Sequence, residues 1–154
     1  SLRVEGEGFQ SKFSSKGNYL VYSSASDKDL YGPTLKVVDG NIDSIGKNKK
    51  LLNIKTWPEK CIESSLKEEI IYCGVPDYLP VNSVSFPGLA DGSTDIFYKV
   101  NLQTGLKVQI AQPIGEYNKT DFNVKWGSMQ LSKDESTLYF VDKHDDKMYS
   151  IRLK

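Results

Sequence analysis

The chain has no excess charge of either sign: 20 Lys and Arg are matched by 20 Asp and Glu. That excludes the basic footprint of a nucleic-acid binder and the basic stripe of a membrane-surface protein. Histidine is nearly absent, with His144 alone, inside the charged run DKHDDK. A Ser–His or Cys–His nucleophile pair needs a base beside its nucleophile, and no G-x-S-x-G is present, so a hydrolase of that kind is disfavoured. Neither G-x-G-x-x-G nor G-K-[ST] occurs, which removes the common phosphate loops, and no cofactor is expected. No apolar run approaches the roughly 20 residues that cross a bilayer, and the opening SLRVEGEGFQ lacks the apolar centre of a signal peptide. Membrane contact is therefore expected only through a segment outside this sequence. Long helical periodicity is missing as well.

What remains is a strand-forming chain. It has 9 Tyr and 6 Phe within a hydrophobic content of 38%, and its apolar residues alternate over four to eight positions in NYLVYS, TLKVVD, EEIIYC, DIFYKVN, LKVQIA, STLYFVD and KMYSIRL. Turn signals such as SKGN, VDGN, QTGL and DKHDDK separate these runs. An all-β protein of antiparallel strands is expected.

One layout recurs. SSKGNYLVYSS (from Ser14), SSLKEEIIYCG (from Ser64) and SKDESTLYFVD (from Ser132) each open with serine and pass through a polar turn. Each then reaches an aliphatic residue, a spacer and an aromatic: Leu20/Tyr22, Ile70/Tyr72 and Leu138/Phe140. A later strand in each unit pairs a large apolar residue with Val or Ile three positions on: Leu35/Val38, Phe97/Val100 and Met148/Ile151. Trp57 and Trp126 stand upstream of the second and third copies, with Phe9 near that place in the first. Their recurrence favours packing between units over stacking on sugars. NKKLLNI and LKVQIAQ supply a fourth strand to the first two units. A repeated four-stranded antiparallel meander is the β-propeller blade, and the 50 residues from Ser14 to Ser64 fit one blade. The expected fold class is thus all-β, with about three blades: 8–54, 55–112 and 121–154. The third blade lacks its outer strand, which Leu2–Glu5 is expected to supply. Three blades are too few to close a ring, so the expectation is a partial propeller continued by further blades or completed by a second copy of the chain.

FSSKGNYLVYSS, and less closely LSKDESTLYFVD with no glycine, resemble the S-x-D/N-G-x-x-L/I-x-Y/F turn of TolB-like, WD-related propeller repeats. TWPEKCIESSLKEEIIYCGVP resembles a blade of bacterial surface-type propellers, in which a Trp-Pro-Glu-Lys-Cys run is followed by Tyr-Cys. The resemblance implies the fold and is nearly silent on activity, because propellers host many functions.

Cys61 and Cys73 are not spaced as a CxxC redox pair, and two thiols alone make a poor zinc site. If the hairpin turn is centred on Lys67, residues whose numbers sum to 134 oppose one another, and Cys61 faces Cys73. Opposed residues of a non-hydrogen-bonded pair lie about 4.5 Å apart between Cα atoms, at the short end of disulfide range. Register and resemblance together predict a cross-strand disulfide; the alternative is two half-buried free thiols. A bridge implies an oxidising, extracytoplasmic setting.

In a propeller, the connectors between second and third strands emerge on the same side as those between blades. Segments 25–34, 75–94, 113–122 and 142–147 should therefore gather on one face. The rim residues expected there are Asp27, Asp29, Tyr31, Asp77, Tyr78, Phe86, Asp91, Tyr117, Asp121 and His144. Solvated, variable loops are the plainer reading of the same segments. DKHDDK lacks the glycine and spaced oxygens of a calcium loop and reads as a solvated turn, so no metal is expected. NKT at Asn118 is a glycosylation sequon in a eukaryotic secretory host. The favoured function is a non-catalytic extracytoplasmic scaffold that binds a protein or small ligand on the long-loop face, with no nucleic-acid partner. The alternative is the propeller part of a larger enzyme (glycosidase, lyase or peptidase) whose catalytic residues lie elsewhere.

Overall fold

A computed structural model describes residues 3–4, 6–25 and 32–154. It is all-β, with strands gathered into three antiparallel sheets. The first holds β1 (Glu7–Phe13), β2 (Tyr19–Ala25), β3 (Thr34–Asp39) and β4 (Lys50–Lys55) in that order. The second holds β5 (Cys61–Glu63), β6 (Ile70–Pro76), β7 (Asp95–Asn101) and β8 (Lys107–Gln109), again in chain order. The third has three strands, β9 (Gln130–Leu131), β10 (Thr137–Val141) and β11 (Met148–Arg152). Each sheet is a blade-like meander.

The sheets stack face to face. Successive residues of a strand point to opposite faces, and β6 uses both. Ile71 and Cys73 pack with Val21, Leu35, Val37, Leu52 and Ile54 of the first blade. Ile70 and Tyr72, joined by Phe97, pack with Leu138, Phe140 and Ile151 of the third. This explains why IIYCGV is an unbroken apolar run and not an alternating one. Trp57 is 1% exposed and Trp126 is 37% exposed. Their rings meet at 5.6 Å, so the more exposed indole covers the buried one.

The serine hairpins share one geometry. Ser14 N–H bonds the Tyr19 carbonyl and Ser132 N–H the Thr137 carbonyl, both at 2.9 Å. In return each serine Oγ accepts the N–H of that same partner, at 3.1 Å in both cases. The second turn is one residue longer: Ser64 N–H reaches Ile70 O, and its Oγ accepts from Lys67 N–H. The ladder therefore aligns Leu20, Ile71 and Leu138, which oppose Val38, Val100 and Ile151. The expected equivalence of Ile70 with Leu20 is corrected by one position. At the turn itself, Gly17 has φ 73° and Glu135, three residues after its serine in the same way, has φ 54°. A side chain in that left-handed region is disfavoured. Glu135 gains a compensation: its buried carboxylate accepts from Ser64 Oγ and, at 3.1 Å, from Ser65 N–H of the neighbouring blade.

Two other expectations change. Phe9 lies within β1, half exposed against Tyr22, and is not the counterpart of Trp57, which precedes a short 3-10 turn at Pro58–Lys60. Of the segment 2–5 expected to complete the third blade, Arg3 and Val4 belong to no strand, and Val4 packs on Leu20, Tyr22 and Val38 of the first blade. That apolar face offers Val4 burial that the edge of β11 does not. Leu2 and Glu5 lie outside the described residues.

The register of β5 and β6 places Cys61 opposite Cys73, and the two form a disulfide with Cα atoms 4.1 Å apart. Both lie in the apolar layer between the first and second blades. A bridge closing so short a loop constrains the unfolded chain by about 3 kcal/mol at most. Urea unfolding of the Cys61→Ser/Cys73→Ser double variant should show a loss of stability of up to that size, and thiol titration of the oxidised native chain should find no free thiol.

Candidate functional site

The 77–94 insertion, the connector that ends at Asn123 and the 142–147 turn meet around a group of buried polar residues. The 77–94 insertion leaves β6 and returns to β7 through a closed neck. Asp77 N–H bonds the Thr94 carbonyl at 2.8 Å, Asp77 Oδ1 accepts Thr94 N–H at 3.0 Å, and Ser93 Oγ donates to the Tyr78 carbonyl. Just beyond the neck stands Asp95, fully buried at the start of β7. Its carboxylate receives the Lys60 ammonium at 2.9 and 2.8 Å and the Val124 N–H at 2.7 Å. Lys60 Nζ also donates to Asn123 Oδ1 at 3.1 Å. A Cβ at Gly74 would lie 3.2 Å from Asp95 Oδ2 and 2.8 Å from Val124, so glycine there makes room for the carboxylate. Burial pushes the Lys60 ammonium down from its ordinary value and the Asp95 carboxyl up, each against the attraction of its partner.

Asn123 ties this pair to the other connectors. Its Nδ2 donates to the carbonyls of Ala90 (3.0 Å) and Ser93 (2.9 Å) in the insertion, and its N–H donates to Asp142 Oδ1 at 2.9 Å. Asp142 is fully buried and its Oδ2 lies 3.1 Å from Lys119 Nζ. His144 sits between two connectors: Nδ1 is 2.7 Å from the Asp121 carbonyl and Nε2 is 2.6 Å from the Asp91 carbonyl. Lys143 completes the seam with an ion pair to Asp91 at 2.8 Å. DKHDDK is largely the solvated turn expected from sequence, with Lys143, His144, Asp146 and Lys147 exposed; Asp142 departs from that expectation. In this turn Asp142 is buried and His144 bridges neighbouring loops, because the insertion and the 113–122 connector reach it.

Of the expected rim residues, Asp121, Asp91 and His144 come together here. The Lys119 ammonium, 3.0 Å away, holds the Asp121 carboxyl below the usual carboxylate range. Asp77 serves the neck. Tyr78 is 67% exposed and Phe86 66%, on the insertion; Tyr117, at φ 55°, is 99% exposed. Asp27, Asp29 and Tyr31 lie outside the described residues. Among the described residues, no group of three or more His, Cys, Asp or Glu is placed to hold a metal ion. Sequence reasoning missed Lys60, Asp95 and Asn123. One signal was available for Asp95: it stands two residues before Phe97 on an alternating strand, and so on the same inward face.

Tyr149 borders this region, its ring 4.7 Å from that of Phe122. Its hydroxyl donates to Asp145 Oδ2 at 2.5 Å, and that bond, aided by lesser burial and charge effects, pushes the phenol up to about 12. A group whose folded value is raised contributes stability that is complete below its unfolded value, near pH 10, and lost as pH rises toward 12. Residue-resolved NMR titration should show Tyr149 ionising near pH 12, and Asp145→Asn should return it toward 10.

No protein-family model matches the chain, and no curated protein is significantly similar to it in sequence. Among solved structures, it is similar to a crystal structure of the tricorn protease, with 13% sequence identity and a TM-score of 0.45. The likeness covers 94% of this chain and 16% of that one. The blade architecture rests on the strand order and registers given above, independently of that likeness.

Proposed function

We propose that this chain is a non-catalytic, extracytoplasmic interaction scaffold built from TolB-like, WD-related propeller blades, and that it binds a protein through the 77–94 insertion. The observation that carries the reading is the exposure of Tyr78, Val81, Phe86 and Leu89, each at least half in solvent within twelve residues of one loop. Single exposed apolar residues are ordinary on a protein surface, whereas several large ones held on one element mark a contact surface. Tyr and Phe also supply contact area at low entropic cost and dominate protein interfaces. The loop is fastened at its neck by Asp77 and Thr94, and over its return by Asn123, His144 and Lys143. A surface fastened in this way loses little freedom when it binds. Side chains this open favour a protein partner over a small ligand, which needs enclosure. The Cys61–Cys73 disulfide supports an oxidising compartment.

The test compares two immobilised baits, the native chain and Tyr78→Ala/Phe86→Ala, under chemical cross-linking to extracytoplasmic proteins of the source cell. Proteins cross-linked through 77–94 by the native chain and lost by the variant, with unfolding midpoints within a few degrees of each other, are the expected result. An identical set from both baits sinks the reading.

A further inference from the structure

Lys60, Asp95 and the Oδ1 end of Asn123 form a buried polar group beneath the binding surface, out of a partner's reach. Relative exposures are 1%, 0% and 1%. The three come from distant parts of the chain: the turn before β5, the first residue of β7, and the connector between the second and third blades. Their reactive atoms therefore meet only in the folded protein. Lys60 Nζ lies 2.8 and 2.9 Å from the two Asp95 carboxylate oxygens and 3.1 Å from Asn123 Oδ1. The side-chain amide of Asn123 is fixed in orientation, because Nδ2 is held by the Ala90 and Ser93 carbonyls, leaving the Oδ1 end toward Lys60. We propose that Lys60 and Asn123 become joined after folding by an autocatalytic isopeptide bond, with Asp95 as the catalytic carboxyl.

The chemistry closes within these three side chains. The Lys60 ammonium gives a proton to Asp95, leaving a neutral amine and a neutral acid. A desolvated site favours that neutral pair over two buried charges, and the directions in which burial moves both groups agree. The free amine is then a competent nucleophile. Its lone pair attacks Asn123 Cγ, forming the Cγ–Nζ bond. Asp95 passes its proton to Nδ2 and takes one from Nζ, the Cγ–Nδ2 bond breaks with its electron pair on nitrogen, and ammonia leaves. Asp95 ends as a neutral acid, and the former Lys60 nitrogen keeps one hydrogen as an amide. No oxidant, reductant or second substrate enters. A bond from Lys60 to Asp95 itself would use up the carboxylate that, among the described residues, contacts the amine, so Asn123 is the acceptor and Asp95 the proton carrier.

The experiment is an intact-mass measurement on the native chain after prolonged incubation and full reduction of the disulfide, followed by proteolytic mapping. The expected result is a mass about 17 Da below that of the sequence, one ammonia, and a branched peptide joining Lys60 to Asn123. Asp95→Asn should keep its full sequence mass. Asn123→Asp should give the same branched peptide with a loss of about 18 Da, one water in place of ammonia. The native chain is read without any variant having to fold. Full sequence mass in the reduced native chain overturns the proposal. So does a loss of ammonia with a linear Lys60 peptide, or a branch mapped to Asp95.

Discussion

A twisted sheet with two apolar faces is unstable alone, and the arrangement of this chain follows from that constraint. Every position of the middle strand β6 has to be covered, since Ile71 and Cys73 point one way and Ile70 and Tyr72 the other. The flanking blades supply the cover: Val21 and Val37 on one side, Leu138 and Phe140 on the other. The central blade is thus specified from both sides, and its first hairpin is locked by the disulfide at β5, a strand of only three residues. Polar clamps repeat at the turns between neighbours: Glu63 receives Ser15 N–H at 2.6 Å, and Glu135 receives Ser65 N–H at 3.1 Å. Apolar faces set how near the blades lie, and these clamps set how far one slides along the next.

Much of this is readable in the residues, because hairpin chemistry is local. A serine whose Oγ caps its own turn, followed by an apolar-aromatic strand, has the same energetic reason to occur wherever a blade needs a hairpin. The Cys61–Cys73 pairing is legible for the same reason, since once the turn is centred the ladder admits one partner. The offset between Ile70 and Ile71 is not legible. Both residues are isoleucine, both are buried, and only the hydrogen bond from Ser64 to Ile70 reveals that the second turn is one residue longer. Glu135 is hidden in another way. The sequence shows a missing glycine in the third turn, but the acceptor role that compensates for it depends on Ser64, some seventy positions earlier.

The candidate site is less legible than the fold because its chemistry is long-range. Lys60, Asp95 and Asn123 are ordinary polar residues by any local pattern, and nothing nearby in sequence says they are buried together. Burying an ion pair costs several kcal/mol per charge in desolvation, which good geometry and further hydrogen bonds must offset. Here Val124 N–H, Asn123 Oδ1 and the space left at Gly74 supply that geometry. A well-packed apolar trio would serve stability as well or better. What the three polar groups do supply is registry: Asn123 holds the Ala90 and Ser93 carbonyls, and Asp95 holds the Val124 N–H, so the loops meet at one fixed place.

The position of this polar core also explains why the exposed insertion is ordered enough to act as a surface. A loop of this length carries a closure and ordering cost, and its exposed side chains Tyr78 and Phe86 return little of it by burial. The return comes from its far end, where the Ala90 and Ser93 carbonyls meet Asn123, the Asp91 carbonyl meets His144, and the Asp91 carboxylate meets Lys143. Every one of those partners belongs to the third blade or the connector leading to it. The apolar surface is built on the second blade, closed at its own neck by Asp77 and Thr94, and tied at its far end to the third, so both local and inter-blade bonds order it.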